Sequence, residues 1–510
     1  MSEITSTSTT PQNTDEKVCL VVVEGLGLAP EGVEDAFKTA STPIYDSLVS
    51  SNDCIFTPLK ANGSDVGVNN GSSGNFGIGY LCLGTGRINE RNNVRINKKI
   101  QDGSFFTNET LLEALKTAKE NTGRVHLFGQ ITDSYQECNL SQIESLLKVC
   151  KQVDVPHVFI HGILGDIDEE QQIGSKNVKA VEDMCTSIGC GKISTLAGNM
   201  YAISEPENGE RIIMYYSTLT KGSGNFSSDL PHVAIENIYK KGEQDETFAP
   251  LVFDINGTVQ NNDVVINFNN KGDAGGSINE LLYSAPNGQF SDGRPMGFTE
   301  SIKLSLPSYM HDQHQQYPYI YIIYNIYILC EEKRYNMAWF IFNGAMSEEA
   351  PTGITTIKVS SLEDMKDDKC AALSMNCIGN LSKTILSSNS YSLAIFNLSA
   401  PGVYSQNNDF EQLKLSIEST DKVLGTIKQN CEENGYRLVV VSTDCGSSTV
   451  NKDNSQAEIC YDVPLIITKK EGEQLEWTKP IEERRLANVS STILKLLNIS
   501  KPESMEDSLI

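Results

Sequence analysis

The stretch VCLVVVEGLGL, Val18 to Leu28, decides the fold class of this chain. A short, continuously apolar run that ends in glycines is typical of a parallel strand buried on both faces. Similar runs recur in RVHLFGQITD, HVFIHGILGD, YSLAIFNLSA and RLVVVSTDCG. Because ligands collect at the carboxyl ends of parallel strands, Glu24, directly after the first run, is a candidate functional residue.

Amphipathic stretches of helical length precede these runs, for example ETLLEALKTAKENTG and FEQLKLSIESTDKVLGTIKQNCEENG. Strands alternating with such helices predict an α/β fold with mostly parallel sheets. Polar residues follow strands in two clusters, one formed by the two chain ends and one in the middle. We therefore predict a disordered N-terminus over 1–16, an outer domain from 17–82 and 300–510, and an inserted domain over 83–299.

The composition limits the function classes. The 510 residues carry a formal net charge of −25, which disfavours an unaided binder of nucleic acid or anionic membranes. The 13 cysteines show no CxxC spacing, which favours reduced thiols inside the cell. The polar N-terminus has no signal-peptide pattern. We expect a cytoplasmic monomer without nucleic-acid or membrane partners.

One tract differs from its surroundings: YPYIYIIYNIYILC, Tyr317 to Cys330. Its 14 residues are fewer than the roughly 20 that a membrane-spanning helix needs. Its β-branched and aromatic content favours a strand or an aggregation-prone insert. An artefact of the gene model is the alternative.

Several blocks in order along the chain resemble the cofactor-independent phosphoglycerate mutases of the alkaline phosphatase superfamily. The blocks are STPIYDSL, GSSGNFGIGYLCLGTGR, RINKKIQDGSFFTNETL, AIENIYKKGEQDETFAPLVF, FIFNGA, VPLII and PESMEDSLI. The resemblance implies a phosphatase-like outer domain with an inserted transferase-like domain. It also implies two divalent metals, usually manganese, beside a serine that becomes phosphorylated, and arginines that hold phosphoglycerate.

The nucleophile loop departs from the family pattern. Where the family has GNSEVGH, this chain has GNFGIGY, so Phe76 stands at the serine position. Ser72 and Ser73 lie a few residues upstream, but misplacement by about an ångström already costs catalysis roughly a hundredfold. The resemblance therefore predicts a loop without its nucleophile.

The metal ligands implied by the resemblance are mostly replaced. Asp444 is retained. Glu24 stands where the family has an aspartate, and Cys445 and Glu458 stand where it has histidines. Gly402 and Gln406 replace the remaining aspartate and histidine. Sites of this type need four to six oriented ligands, so we expect at most a residual single metal.

The inserted domain shows the same losses. Its implied acid/base histidine is Glu137, and an arginine of the motif that ends at the retained Asp168 is isoleucine. Among the implied phosphate-binding cations, Lys271 and Arg334 keep a positive charge. The resemblance thus leaves Asp168, Lys271 and Arg334 as a weakened substrate-binding set.

Six histidines occur in the chain, and none falls at a catalytic or metal position of the family. His126 and His161 lie in predicted strands. There, a structural histidine with hydrogen-bond partners is the expected role.

Three functions are compatible with this pattern. The first is a phosphoglycerate-mutase-like protein without catalysis or cofactor, which binds a protein or a small anion at Lys271 and Arg334. The second is an active mutase, an isomerase of 2- and 3-phosphoglycerate in glycolysis, that uses two manganese ions with Ser73, Glu24 and Asp444. The third is altered chemistry at Cys445 or Glu137, although a lone thiol is usually structural.

Overall fold

The computed structural model describes most of the chain. The described residues are 15–31, 35–133, 140–165, 172–202, 209–260, 262–269, 302–305, 326–331, 354–359, 370–405, 410–445 and 461–510. Within them, no helix is both long and apolar enough to cross a bilayer.

The strands are numbered in chain order. They are β1 (Val18–Val23), β2 (Cys54–Leu59), β3 (Arg124–Gln130), β4 (His157–Leu164), β5 (Lys192–Gly198), β6 (Asn225–Phe226), β7 (Leu251–Val252), β8 (Val264–Asn267), β9 (Ile302–Ser305), β10 (Ile326–Glu331), β11 (Ile354–Val359), β12 (Leu393–Leu398), β13 (Arg437–Ser442) and β14 (Val463–Thr468).

The α-helices are numbered in the same way. They are α1 (Ala36–Thr39), α2 (Pro43–Ser50), α3 (Phe76–Thr85), α4 (Asn92–Gln101), α5 (Glu109–Glu120), α6 (Leu140–Val153), α7 (Gly174–Ile188), α8 (Gly209–Lys221), α9 (Pro231–Tyr239), α10 (Cys370–Ser387), α11 (Ala400–Ser405), α12 (Phe410–Asn434) and α13 (Asn488–Leu496).

The chain divides into two compact units. Unit 1 comprises Met1–Glu90 and His314–Ile510, and unit 2 comprises Arg91–Gln313. Compactness alone does not fix where a domain begins along the chain. The boundaries predicted near residues 83 and 300 therefore stay predictions.

Unit 1 is built on a sheet in the order β11-β10-β12-β1-β13-β14-β2. The strands from β11 to β13 are parallel, whereas β14 pairs antiparallel with both neighbours. Alternate residues of β1 enter two different hydrophobic clusters, with Leu20 in one and Val21 in the other. The central strand is therefore buried on both faces, as its continuous apolar sequence predicts.

Unit 2 contains a second sheet, in the order β6-β7-β5-β4-β3-β8-β9. The strands from β5 to β9 along this order are parallel, and β7 runs antiparallel to β5. Again two clusters cover the two faces, with Leu127 in one and Phe128 in the other.

The predicted α/β architecture is confirmed: the five apolar runs form β1, β3, β4, β12 and β13, and the two quoted amphipathic stretches form α5 and α12. In the tyrosine and isoleucine tract, Ile326 to Cys330 belongs to β10, an inner strand paired with β11 and β12. The strand interpretation is confirmed for that part. Residues 317–325 and 1–14 lie outside the described residues.

Candidate functional site

Three neighbouring strands of unit 1 bring Glu24, Ser399 and Thr443 together at their carboxyl ends. Val23 is in register with Leu398 on β12 and with Ser442 on β13. The Glu24 amide donates to the Leu398 carbonyl at 3.1 Å, and the Thr443 amide donates to the Val23 carbonyl at 3.1 Å. The ladder thus continues past the strands and fixes this strand-end site.

The Glu24 carboxylate is held in a hydrogen-bonded triangle with Tyr80 and Asn397. Its Oε1 accepts from the Tyr80 hydroxyl at 3.1 Å and from Asn397 Nδ2 at 3.0 Å. Asn397 Nδ2 also donates to the Tyr80 hydroxyl oxygen. All three side chains are buried, and Glu24 has 0% exposure. The triangle therefore fastens α3 to the ends of β1 and β12.

Gly402 brings the start of α11 against Glu24. A Cβ at position 402 would lie 2.6 Å from Glu24 Cβ and 3.1 Å from its Oε2. Gly25, at φ +78, approaches the same backbone, since a Cβ there would lie 2.9 Å from Gly402 Cα. The aspartate that the family carries at position 402 therefore has no room beside this glutamate.

Asp444 organises the loop that follows β1. Its Oδ1 accepts from the Gly25 amide at 3.2 Å and from the Thr443 hydroxyl at 2.6 Å. The Ser442 hydroxyl accepts from the Leu26 amide at 3.0 Å and donates to the Asp444 carbonyl at 2.9 Å. The carboxylate is thus engaged in joining the β1 and β13 loops.

Cys445 lies beneath the same loop, and 1% of it is exposed. A Cβ at Gly27 would lie 2.8 Å from Cys445 Cβ and 2.9 Å from its carbonyl oxygen. The thiol side chain is packed against glycine backbone and belongs to the hydrophobic cluster of the sheet. This environment is typical of a structural cysteine.

The loop with Phe76 folds as a helix start. The Asn75 side chain caps α3 by accepting from the Ile78 amide at 2.9 Å. Phe76, the first helical residue, is half-buried and packs against the hydrophobic cluster of the unit. Its ring therefore fills space beside apolar side chains and supplies no oxygen for a phosphoryl group.

The two upstream serines lie in a turn tied to another segment. The Ser72 carbonyl accepts from the Gly63 amide at 3.0 Å, and Ser73 forms an isolated bridge with Asn62. Their backbone is thereby fixed to residues 62–63. Neither serine is part of α3.

The two manganese ions implied by the family find no fitting donor set among the described residues. There, no group of three or more histidine, cysteine, aspartate or glutamate side chains converges to hold a metal. Glu24 is engaged by Tyr80 and Asn397, and Asp444 by the β1 loop. Glu458 lies outside the described residues. We therefore derive no chemical step through a metal.

Four further candidate residues were named from the sequence. Glu137, Asp168, Lys271 and Arg334 all lie outside the described residues. Their roles stay predictions from sequence.

Sequence reasoning missed the triangle, because it treated Glu24 as a metal ligand and did not single out Asn397. One signal was present: Asn397 lies near the end of the apolar run that precedes Ser399, and this run forms β12, which pairs with the strand just before Glu24. Tyr80 stands where the family loop has a histidine, but the sequence around it gave no indication of which residue it would contact.

Comparison with known proteins gives a consistent result. The family model for the N-terminus of 2,3-bisphosphoglycerate-independent phosphoglycerate mutase matches residues 96–310. The phosphoglycerate mutase of Clostridium beijerinckii is 27% identical over 521 residues, covering 96% of this chain and 97% of the relative. That of Caenorhabditis elegans is 25% identical and covers 96% and 93%.

By these comparisons the chain is similar to the cofactor-independent phosphoglycerate mutases over nearly its whole length.

A solved structure agrees with this similarity. The phosphoglycerate mutase of Leishmania mexicana, at low cobalt concentration, matches with a TM-score of 0.73 at 19% identity and covers 98% of both chains. The predicted fold class is thus confirmed: an alkaline-phosphatase-like outer domain carries an inserted α/β domain. The strand-end site described above lies in unit 1.

Proposed function

We propose that this chain is a non-catalytic phosphoglycerate-mutase-like protein of the cytoplasm, with a binding or regulatory role. The observation that carries the proposal is the strand-end site itself, where Glu24 bonds Tyr80 and Asn397 and Phe76 begins α3. These hydrogen bonds engage Oε1 of the Glu24 carboxylate, and a phenyl ring stands at the serine position. A metal-assisted phosphoryl transfer needs an open coordination position and an oxygen nucleophile.

The magnitude of the losses supports inactivity. In a serine hydrolase, loss of the nucleophile alone costs about a millionfold in turnover. Here the serine position holds Phe76, and Gly402 stands where a metal-binding aspartate is expected from the family. The effects on turnover of residues that act as a unit are not additive, so restoring only one of the two groups should not restore activity.

The decisive experiment is a coupled 3-phosphoglycerate mutase assay with added manganese, run beside elemental analysis of the same purified sample. We expect no turnover above a mock purification and less than one tightly bound manganese per chain. The C. elegans relative, assayed in parallel, is the positive control. Turnover that co-purifies with the chain, together with two stoichiometric metals, would establish the active mutase instead.

Two variants sharpen the test. Phe76→Ser restores only the hydroxyl and is expected to stay inactive, since Glu24 remains bonded to Tyr80 and Asn397. Phe76→Leu, with no hydroxyl, is its control for altered packing. Activity in Phe76→Ser but not in Phe76→Leu would mean that the metal-binding set is intact.

The proposed ligand is a protein or a small anion at Lys271 and Arg334, since these residues keep the charge of a phosphate-binding cluster. Titration calorimetry with 3-phosphoglycerate and with inorganic phosphate separates a substrate-like ligand from a simple anion. The charge-removing variant Lys271→Met should weaken either one, whereas Lys271→Arg should not. Equal binding by all three proteins would remove this site from the proposal.

A further inference from the structure

A row of hydrogen-bonded side chains crosses four positions of the sheet in unit 2. Asp263 Oδ2 lies 2.9 Å from His126 Nε2, His126 Nδ1 lies 2.9 Å from His161 Nε2, and His161 Nδ1 lies 2.9 Å from Thr195 Oγ1. At most 2% of any of these residues is exposed. The two histidines are thus structural and partnered, as the sequence predicted.

One end of this row is an anion. Asp263 Oδ2 also accepts from Arg124 Nε at 3.0 Å and from the Gln260 amide at 2.8 Å. Burial alone would raise the pKa of Asp263, but the hydrogen bonds from His126 and Gln260 hold the pKa below its usual value. An ionised carboxylate only accepts, so His126 Nε2 must carry a proton.

The anion fixes the direction of every other bond. With its single proton on Nε2, a neutral His126 presents a bare Nδ1, which accepts from His161 Nε2–H. His161 then has a bare Nδ1, which accepts from the Thr195 hydroxyl. Both imidazoles are therefore neutral Nε2–H tautomers, and each ring nitrogen in the row has a partner.

The row admits two arrangements that hold one added proton and keep all contacts. A proton added to His161 Nδ1 leaves the bond between the histidines unchanged and makes Thr195 Oγ1 the acceptor, but it puts the charge one ring away from the Asp263 carboxylate, so the arrangement with the charge on His126 is favoured. A proton added to His126 Nδ1 would face His161 Nε2–H at 2.9 Å, so His161 must move its own proton to Nδ1. Thr195 Oγ1 then accepts instead of donating. Simultaneous protonation of both histidines would set two N–H groups against each other.

We propose that this row, Asp263, His126, His161 and Thr195, is a one-proton switch that reverses its hydrogen bonds when unit 2 takes up a proton. The proton comes from solvent and is returned to it, so no other reactant is required. The charge is placed on His126, beside the Asp263 carboxylate. The reversal displaces only protons, and its consequence is an acid-sensitive coupling between β8 and β5.

The surroundings determine the pH at which this occurs. Arg124 faces the row from β3. Lys192 and its partner Asp254 lie by the Phe159 ring, which stacks on His126. Tyr215, which is buried on α8, lies near Thr195. Burial lowers the pKa of both histidines; Asp263 opposes the effect at His126, while His126 and Arg124 add to it at His161.

The sign of the pH dependence follows from these shifts. In the unfolded chain a histidine has a pKa of about 6.5, and the folded state binds protons less readily. Stability that depends on the row is therefore complete above about pH 6.5 and falls as the pH decreases below it.

The test is nuclear magnetic resonance of the full chain with ¹⁵N-labelled histidine, from pH 8 to pH 5. At pH 8 we expect Nε2–H tautomers for both His126 and His161. On acidification His126 should gain a proton on Nδ1 while His161 changes to the Nδ1–H tautomer, with one shared midpoint. His157, which is exposed, supplies a solvent-facing reference in the same spectra.

Variants at Thr195 test the far end of the row. Thr195→Val removes the hydroxyl that donates to His161 in the resting arrangement and accepts from it in the reversed one, so the shared midpoint should shift by about one pH unit, a tenfold change in proton affinity. Thr195→Ser keeps the hydroxyl and should keep the midpoint. Two separate midpoints with both imidazoles doubly protonated, or a His161 Nδ1–H tautomer already at pH 8, would overturn the proposal without any variant.

Discussion

The triangle of Glu24, Tyr80 and Asn397 gives the sharpest stability prediction. Tyr80→Phe removes one hydroxyl and leaves the ring, which is only 3% exposed. The variant loses a donor to a buried carboxylate at 3.1 Å and an acceptor for Asn397. A hydrogen bond to a charged group contributes about 1.5–3 kcal/mol net, so we expect the free energy of unfolding to fall by about 2 kcal/mol.

The assay is urea unfolding followed by tryptophan fluorescence. Both tryptophans of the chain, Trp339 and Trp477, belong to unit 1, so the signal reports the unit that contains the triangle. A loss of about 2 kcal/mol is close to a thirtyfold change in the folded-to-unfolded ratio. This is large enough to appear as a clear shift of the urea midpoint.

Tyr327→Phe is the matched control. Tyr327 lies on β10 of the same sheet, is 3% exposed, and its hydroxyl meets no hydrogen-bond partner among the described residues. Since that hydroxyl has no hydrogen bond to lose there, its removal should leave the free energy of unfolding unchanged or raise it. If Tyr80→Phe behaves like Tyr327→Phe, or if manganese raises the midpoint and a chelator lowers it, the triangle does not hold this site together.

Two further predictions concern unit 1. Gly79→Ala should destabilise the chain by about 2 kcal/mol or more, because the new Cβ would lie 2.2 Å from the Thr443 carbonyl oxygen. Gly379→Ala is the control, since its new Cβ would lie 3.4 Å from the nearest atom, an ordinary contact distance. This variant should be neutral or slightly stabilising in the same urea assay. Burial would raise the pKa of Glu473, but its two hydrogen bonds with Arg437 hold that pKa below its usual value. The parent chain should therefore melt at a higher temperature than Glu473→Gln at neutral pH, and this difference should disappear as the pH falls below about 4.3. A difference that stays constant with pH would contradict the prediction.

The fold was predictable because its signals are local. Six consecutive apolar residues in β1 require burial on both faces, and only a sheet covered by helices on each side provides it. The parallel order of β12, β1 and β13 then placed Glu24 at a strand end beside the residue after Leu398. The apolar pattern and composition of the sequence were therefore enough to predict the parallel sheet and the position of Glu24 at a strand end.

The hydrogen bonds of the site were not predictable in the same way. The triangle joins residues 24, 80 and 397, which approach only through the tertiary fold. Charge alone suggested that Glu24 could bind a metal, because a carboxylate in isolation suits either role. Which role it takes depends on whether its neighbours are donors or further ligands. Tyrosine and asparagine side chains are donors, and both donate to Glu24 Oε1 in the structure.

The glycine-rich loop keeps its shape for reasons that involve no reaction. Gly79 is required because α3 presses against Thr443, and Asn75 is required to cap the helix. Neither demand involves a reaction, so both hold whether position 76 carries a serine or Phe76. A buried carboxylate needs donors, and the bonds from Tyr80 and Asn397 to Glu24 supply them while they hold α3 against the strand ends.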